Sequence, residues 1–347
     1  MMYGLRQALL NGAYQTGAWR LIERSFGGMG AILMGHRVVK KKEESLAQYL
    51  TVTESFLDQT IAHLRRLGMQ FVSMSDLVAV LRGKKSLAGR AVVLTFDDGY
   101  RDNLTLALPI LEKHQVPATL YAASGAFDRT MDVWYLRLEY IINRSERLSL
   151  AGAGLPDTLP LGTIAEKIAA YAKATDVAHR DIARFKAYLF ELLPASKVPD
   201  EQLIEEKFMN WQELQFLARH PLITIGAHTE SHAVLAALSE ESALDEMIRG
   251  RDRLTQMLGC PIEHFAYPYG GKTECGAREF RLAERARFVT AVTTRYGNIY
   301  REHRNHLQCL PRMTLGGPVE RTADMLLDLS GTRMTLSKSC LSRVVTD

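Results

Sequence analysis

The stretch Ala91-Val92-Val93-Leu94-Thr95-Phe96-Asp97-Asp98-Gly99 constrains the fold of this chain more than any other. Its apolar start reads as a short buried strand, and two adjacent carboxylates followed by glycine read as the strand's end and the turn out of it. Two ionised aspartates held a few ångströms apart repel, and burial raises the pKa of at least one unless a cation or a hydrogen-bond donor compensates. A metal ion meets that need. One aspartate then ligates the metal while its neighbour, kept ionised by the positive charge, acts as a general base toward water. The ordinary alternative for such a pair is a turn or a helix cap.

Nitrogen ligands should then stand elsewhere at metal-ligand spacing. Leu222-Ile223-Thr224-Ile225-Gly226-Ala227-His228-Thr229-Glu230-Ser231-His232 is a second apolar run, and it ends in His-x-x-x-His. That spacing predicts two imidazoles on one face of a helical turn, with an open position left for water. Either pair alone is a common coincidence; two pairs, each at the carboxyl end of an apolar strand, are not.

These residues carry a family resemblance. Thr95-Phe96-Asp97-Asp98-Gly99 followed by His228-Thr229-Glu230-Ser231-His232 resembles the first two signature motifs of the polysaccharide deacetylases, the carbohydrate esterase family with the NodB homology domain. Phe265-Ala266-Tyr267-Pro268-Tyr269-Gly270 is similar to the family's third motif. The resemblance implies a distorted seven-stranded β/α barrel. It also implies that Asp98, His228 and His232 bind a divalent metal, zinc or another such as cobalt or nickel, and that Asp97 is the general base. The Tyr269 backbone N–H would donate to the oxyanion, and Tyr267, Pro268 and Tyr269 would bind substrate. Ala266 stands where many members carry the arginine that orients the catalytic aspartate. Arg312, in Leu310-Pro311-Arg312-Met313, is the candidate substitute, with a surface salt bridge as its ordinary alternative.

Ala31-Ile32-Leu33-Met34-Gly35-His36 is another apolar run that delivers a polar residue at its end. A lone histidine there is usually structural. In a circularly permuted branch of the family, which includes enzymes acting on biofilm polysaccharides, an N-terminal strand supplies the catalytic histidine, and His36 resembles it. Protonated His36 would donate to the leaving amine. Phe288-Val289-Thr290-Ala291-Val292-Thr293-Thr294 resembles the fourth-motif region without its usual Asp and Trp. The usual C-terminal Leu-x-x-His is missing, and His306 lies in a charged, loop-like stretch.

The remaining sequence bounds the architecture. Strands alternating with helical periods predict an α/β fold with parallel pairing and reactive groups at the strands' carboxyl ends. A single helix is expected over residues 5–26, with Leu5, Leu9, Tyr14, Ala18, Leu21 and Ile22 on one face and Gly27-Gly28 as its stop. Residues 1–30 thus read as a helical extension, 31–329 as the deacetylase domain and 330–347 as a polar tail. About 130 residues separate Asp98 from His228, and the surplus, about 128–210, reads as a helical insertion. Its helices are expected over 134–142, 163–174 and 176–193, after a loop marked by Gly152, Gly154, Pro156 and Pro160. A helix over 102–113 carries Pro109 as a kink. Trp134, Tyr135 and Trp211 are core residues or sugar-stacking platforms.

At 347 residues with 47% hydrophobic and 24% charged side chains, the composition is globular. A formal charge of +4 without an aromatic-interleaved basic stripe argues against nucleic acid. Cys260, Cys275, Cys309 and Cys340 lack a Cys-x-x-Cys pair and read as free thiols. Neither a signal peptide nor a transmembrane run is apparent, which makes the cytoplasm the default address. The resulting expectation is a metal-dependent hydrolase removing N-acetyl groups from an acetylated glycan. The alternatives are O-acetyl ester or small-amide hydrolysis at the same site, or a degenerate barrel that only binds glycan.

Overall fold

In the computed structural model, which describes residues 2–153, 158–178, 180–193, 197–317, 320–335 and 344–346, the chain builds one curled parallel sheet of eight strands wrapped by helices. The strands are β1 (Gly30–Gly35), β2 (Gln70–Phe71), β3 (Ala91–Asp98), β4 (Ala118–Ala122), β5 (Ile223–Ala227), β6 (His264–Ala266), β7 (Thr290–Val292) and β8 (Met313–Thr314). Seven run in the order β7-β6-β5-β4-β3-β1-β8, and β2 pairs with the start of β3 beside β4. A bridge between Val292 and Leu310, just ahead of β8, joins the two ends of the sheet. The fold is thus a distorted β/α barrel, as expected for the family.

Strand alternation divides β3 between two cores. Val92, Leu94 and Phe96 join the large outer core against the helices. Val93 instead joins an interior core with Ile32, Tyr121, Ala266, Val292 and Leu310, closed from below by Met74, Leu77 and Leu81. Thr95 and Asp97 follow Val93 on the inward face, so the interior turns polar only toward the carboxyl ends of the strands.

Helix boundaries follow local chemistry. Thr53, Ser73, Asn210 and Ser239 cap the helices Glu54–Arg66, Met74–Leu81, Trp211–Ala218 and Glu240–Leu258 with their side chains. Gly259 closes the last of these in the left-handed conformation. The helix expected over 102–113 opens instead as a π turn, Asn103–Ala107, before the α-helix Leu108–His114. The wider turn accommodates Pro109, which lacks the N–H an α-helix requires.

Three further expectations need correction. The N-terminal segment is two helices, Met2–Gln15 and Trp19–Phe26, because the chain turns at Gly17 with φ +74°. Its buried contacts are Leu10 and Trp19, while Leu9 and Leu21 face outward. The chain stays packed past 330, with Ser330, Thr332 and Met334 buried and a short helix over Thr332–Thr335. In the long segment before β5, Arg147–Ser149 and Thr158–Pro160 form an antiparallel pair where only a loop was expected. Gly154, Pro156 and Cys340 lie outside the described residues.

That segment otherwise forms the helices Trp134–Arg144, Ile164–Ala178, Ile182–Leu192 and Asp200–Lys207. It has its own apolar core, including Leu138, Ile142, Ala174, Phe185 and Leu189. Cys260 and Cys275 are free thiols. Among the described residues, no helix is long and apolar enough to cross a membrane.

Candidate metal and acyl-transfer site

Asp97 and Asp98 end β3, His36 follows β1, His228 follows β5 and Tyr267 follows β6, so the barrel's carboxyl face collects them. Asp98 departs from strand alternation. Its φ of +76° lies in the left-handed region, which turns its carboxylate toward the mouth rather than the outer core. There Oδ1 lies 3.3 Å from Nε2 of His228 and 3.4 Å from Nε2 of His232. One ligand atom from each of these three residues lies within 4.8 Å of the others.

Their local environment suits a cation. Asp98 Oδ1 is buried and makes no hydrogen bond. His228 Nδ1 donates to the Ala266 carbonyl at 2.7 Å, so the neutral ring presents its Nε2 lone pair to the site. Burial lowers the His228 pKa, but Asp98 and Asp97 outweigh it and raise the imidazole above its ordinary value. Burial likewise opposes ionisation of Asp98, and the two imidazoles overcome it, holding the carboxyl well below the usual range. The field at this point favours positive charge, and one carboxylate with two imidazoles is a donor set for zinc or a similar divalent ion.

The two histidines meet by a route other than the expected helical turn. Residues 228–234 are irregular, with Thr229 and His232 at φ +64° and +61°. The Thr229 hydroxyl accepts the His232 N–H at 3.0 Å and closes the loop.

Asp97 sits beside this trio in a different environment. Arg312 grips it with two parallel hydrogen bonds, Nη1 to Oδ1 and Nη2 to Oδ2, each 2.7 Å. Both side chains are almost wholly buried, at 0% and 2% exposure, which removes the surface-bridge alternative for Arg312. Thr95 and the Thr293 carbonyl accept further hydrogen bonds from the guanidinium. Burial pushes the Asp97 carboxyl up, but Arg312 outweighs it and holds the group below its ordinary value. Ala266, at the third-motif position, is buried among apolar residues. The guanidinium beside Asp97 comes instead from the segment that closes the barrel.

His36 Nε2 lies 3.8 Å from Asp97 Oδ2, and the His36 carbonyl accepts from Asn103. Burial lowers the His36 pKa against the pull of Asp97 and Asp98. Burial thus favours the neutral ring over the imidazolium. His306 follows the turn Arg301–Asn305, where its carbonyl accepts from Cys309.

The third-motif loop divides its residues between core and mouth. Tyr267 packs against Phe265 and Phe280 and donates to the Gln308 carbonyl at 2.8 Å. Its buried side chain belongs to the core, which corrects its place among the substrate-binding residues. Pro268 rigidifies the turn that follows. Tyr269, at φ +62°, sets its ring 5.1 Å from that of His232, and its hydroxyl accepts from the Trp134 indole at 3.2 Å. Among the described residues, the Tyr269 backbone N–H makes no hydrogen bond.

Sequence reasoning missed several neighbours. Arg37 pairs with Glu139 at 3.2 Å and lies over the Tyr100 ring. Tyr135 meets His232 edge-on at 6.5 Å. Trp211 is tied down by Asp128 and Arg253, which gives it a structural place. The Asp-Asp-Gly-Tyr run was the one available pointer to Tyr100; nothing local marks Glu139.

The model of the polysaccharide deacetylase family matches residues 84–152 and 181–281, passing over part of the helical segment. An 80-residue stretch is 44% identical to the poly-β-1,6-N-acetyl-D-glucosamine N-deacetylase of Escherichia coli K12. The match spans 23% of this chain and only 12% of that relative. Among solved structures, the Streptococcus pyogenes deacetylase PplD in complex with acetate superposes with a TM-score of 0.57 at 20% identity, covering 86% of this chain and 97% of that one. IcaB from Ammonifex degensii gives 0.55 at 17% identity, covering 87% and 96%. At these identities the two structures speak for the fold.

Proposed function

Because the chain carries a domain of the polysaccharide deacetylase family, we propose that it is a metal-dependent hydrolase that removes N-acetyl groups from N-acetylated sugars of a polysaccharide or oligosaccharide. The observation that carries this reading is the pairing of two unlike aspartates. Asp98 makes a cation site with His228 and His232, while Asp97, locked to Arg312, stays ionised beside it. A divalent ion held by Asp98, His228 and His232 would supply Lewis acidity, polarising the acetyl carbonyl and acidifying water.

The chain's own residues account for the proton movements. Asp97 takes a proton from the attacking water. Its low pKa makes it a weak base, so its value lies in position and in staying charged. The Tyr269 N–H, free of other partners, donates to the carbonyl oxygen as it gains charge. His36, neutral beforehand and 3.8 Å from Asp97, receives the proton and passes it to the leaving amine as the C–N bond breaks. Arg312 takes the part of the family's arginine from the segment leading into β8.

The E. coli relative is named for poly-β-1,6-N-acetyl-D-glucosamine, which makes that polymer the first substrate to test. Acetate release should be measured from it, from N-acetylglucosamine oligomers and from acetylated xylan, with metal-stripped protein and with zinc, cobalt or nickel restored. Metal-dependent release from the amide substrates supports the proposal. Release from xylan alone would make the chain an ester hydrolase, and none from any would refute the assignment.

A further inference from the structure

The helical segment between β4 and β5 takes no part in the mechanism above, yet its first turn lies against the site. Trp134 and Tyr135 open the helix Trp134–Arg144. The Trp134 indole holds the Tyr269 hydroxyl, and the Tyr135 ring stands edge-on to His232. Consecutive residues thus touch the third-motif loop and the second-motif histidine. Farther along the same helix, Leu138 and Ile142 turn into the segment's own core.

The Tyr135 hydroxyl is enclosed and makes no hydrogen bond of normal geometry; the polar group that faces it is the Tyr100 hydroxyl, and two phenols facing each other leave one O–H without an acceptor. A phenol in that state costs stability that phenylalanine at the same position would not. The Tyr100 pairing therefore leaves one O–H of the pair unused by the fold. Tyr100 follows the Asp97-Asp98 strand end, so the two phenols stand together at the edge of the site, and each can donate.

We propose that Tyr135 is a substrate-binding residue whose hydroxyl donates to a ring hydroxyl of the N-acetylated sugar, while the sugar's amide meets Asp97 and the trio Asp98, His228 and His232. Resting on the deacetylase reading, this gives the helical segment a function: it supplies one wall of the sugar subsite. A subsite that spends a buried hydroxyl on a sugar discriminates against acetyl donors that lack one.

The test is Tyr135→Phe in the full, metal-loaded chain, compared with wild type on N-acetylglucosamine oligomers and on the sugar-free ester methylumbelliferyl acetate. KM for the oligomers should rise by about tenfold or more, with kcat within about twofold. Ester hydrolysis should stay within about twofold, and the melting temperature should not fall. An unchanged oligomer KM overturns the proposal, as does an equal loss on both substrates. If wild type releases no acetate from the oligomers or from poly-β-1,6-N-acetyl-D-glucosamine, the deacetylase reading fails by itself. Calorimetric binding of the same oligomers then decides: weaker binding by the variant supports the Tyr135 contact, and equal or absent binding refutes it.

Discussion

Replacing Arg312 with methionine tests the electrostatic basis of the site. The guanidinium makes two 2.7 Å bonds to Asp97, one of 3.2 Å to Thr95 and one of 2.9 Å to the Thr293 carbonyl, all out of solvent. Methionine fills similar volume but leaves the carboxylate buried and unpaired, a loss of about 3–5 kcal/mol for a charge that stays ionised. Asp97 lessens that penalty by taking up a proton, since the burial that pushes its pKa up is then unopposed. The sign follows from linkage. In wild type the depressed Asp97 pKa contributes stability above the unfolded value of about 3.9 that is lost as pH falls through the folded value. In the variant the folded pKa is raised, so stability falls as pH climbs from about 4 toward the new value. Chemical denaturation of metal-stripped protein should therefore show the smallest difference near pH 4 and the largest at neutral pH and above. Acetate release should fall steeply at neutral pH and recover partly at alkaline pH, where Asp97 ionises again. Arg312→Lys, which keeps the charge without the fork, should lie between the two. A stability loss independent of pH, with an unshifted acid limb, would refute the assignment of Arg312 as the group that holds Asp97 charged.

Asp97→Asn should keep the metal-induced rise in melting temperature yet lose about a thousandfold in turnover; substantial residual acetate release would contradict its role as base. Asp98→Ala should abolish the thermal stabilisation that zinc gives wild type, about 2.7 kcal/mol at a hundredfold excess over Kd. Gly226→Ala would place a Cβ 2.5 Å from the Tyr121 ring and 2.8 Å from the His264 carbonyl. A loss of about 1–3 kcal/mol in urea denaturation is expected, and wild-type stability would show that the barrel interior yields there. Burial pushes the Asp102 carboxyl up to about 7, although the Val38 N–H and Arg37 favour its anion. This group thus removes stability as pH rises from about 4 to about 7, and Asp102→Asn should match wild type near pH 4 and exceed it at about pH 8, by up to about 4 kcal/mol. Parallel pH curves for the two proteins would exclude that shift.

What could be read from the sequence was what local pattern encodes. Apolar runs ending in Asp97-Asp98 and in His228 marked the strand ends, because inward and outward faces are both buried there and only the last residues turn polar. The bond between Arg312 and Asp97 joins residues far apart in the chain, and suspecting it required the gap at Ala266. That the guanidinium is buried depends on barrel closure at Leu310, which no local pattern announces. Tyr267 was misassigned because a tyrosine beside a motif proline gives no sign of which way it turns. Trp134 and Tyr135 carried ordinary helical spacing, and their contact with Tyr269 and His232 depends on how the whole helical segment docks.

The same limit explains the wrong geometry expected for His-x-x-x-His. Among the described residues, four of the seven non-glycine residues with positive φ belong to the site: Asp98, Thr229, His232 and Tyr269. Such conformations cost roughly 1–3 kcal/mol each and persist only where the surroundings enforce them. Here the enforcing groups lie outside every motif. The Glu246 carboxylate accepts the backbone N–H of Glu230 and of Ser231, at 3.1 and 2.9 Å, and the Ser231 hydroxyl at 2.8 Å. One turn further along the same helix, a Cβ at Gly250 would stand 2.4 Å from the Thr229 carbonyl carbon, so only glycine lets the helix press the loop into place. The motif residues provide the ligand atoms, and Glu246 and Gly250 hold the backbone conformation that brings those atoms within reach of one ion.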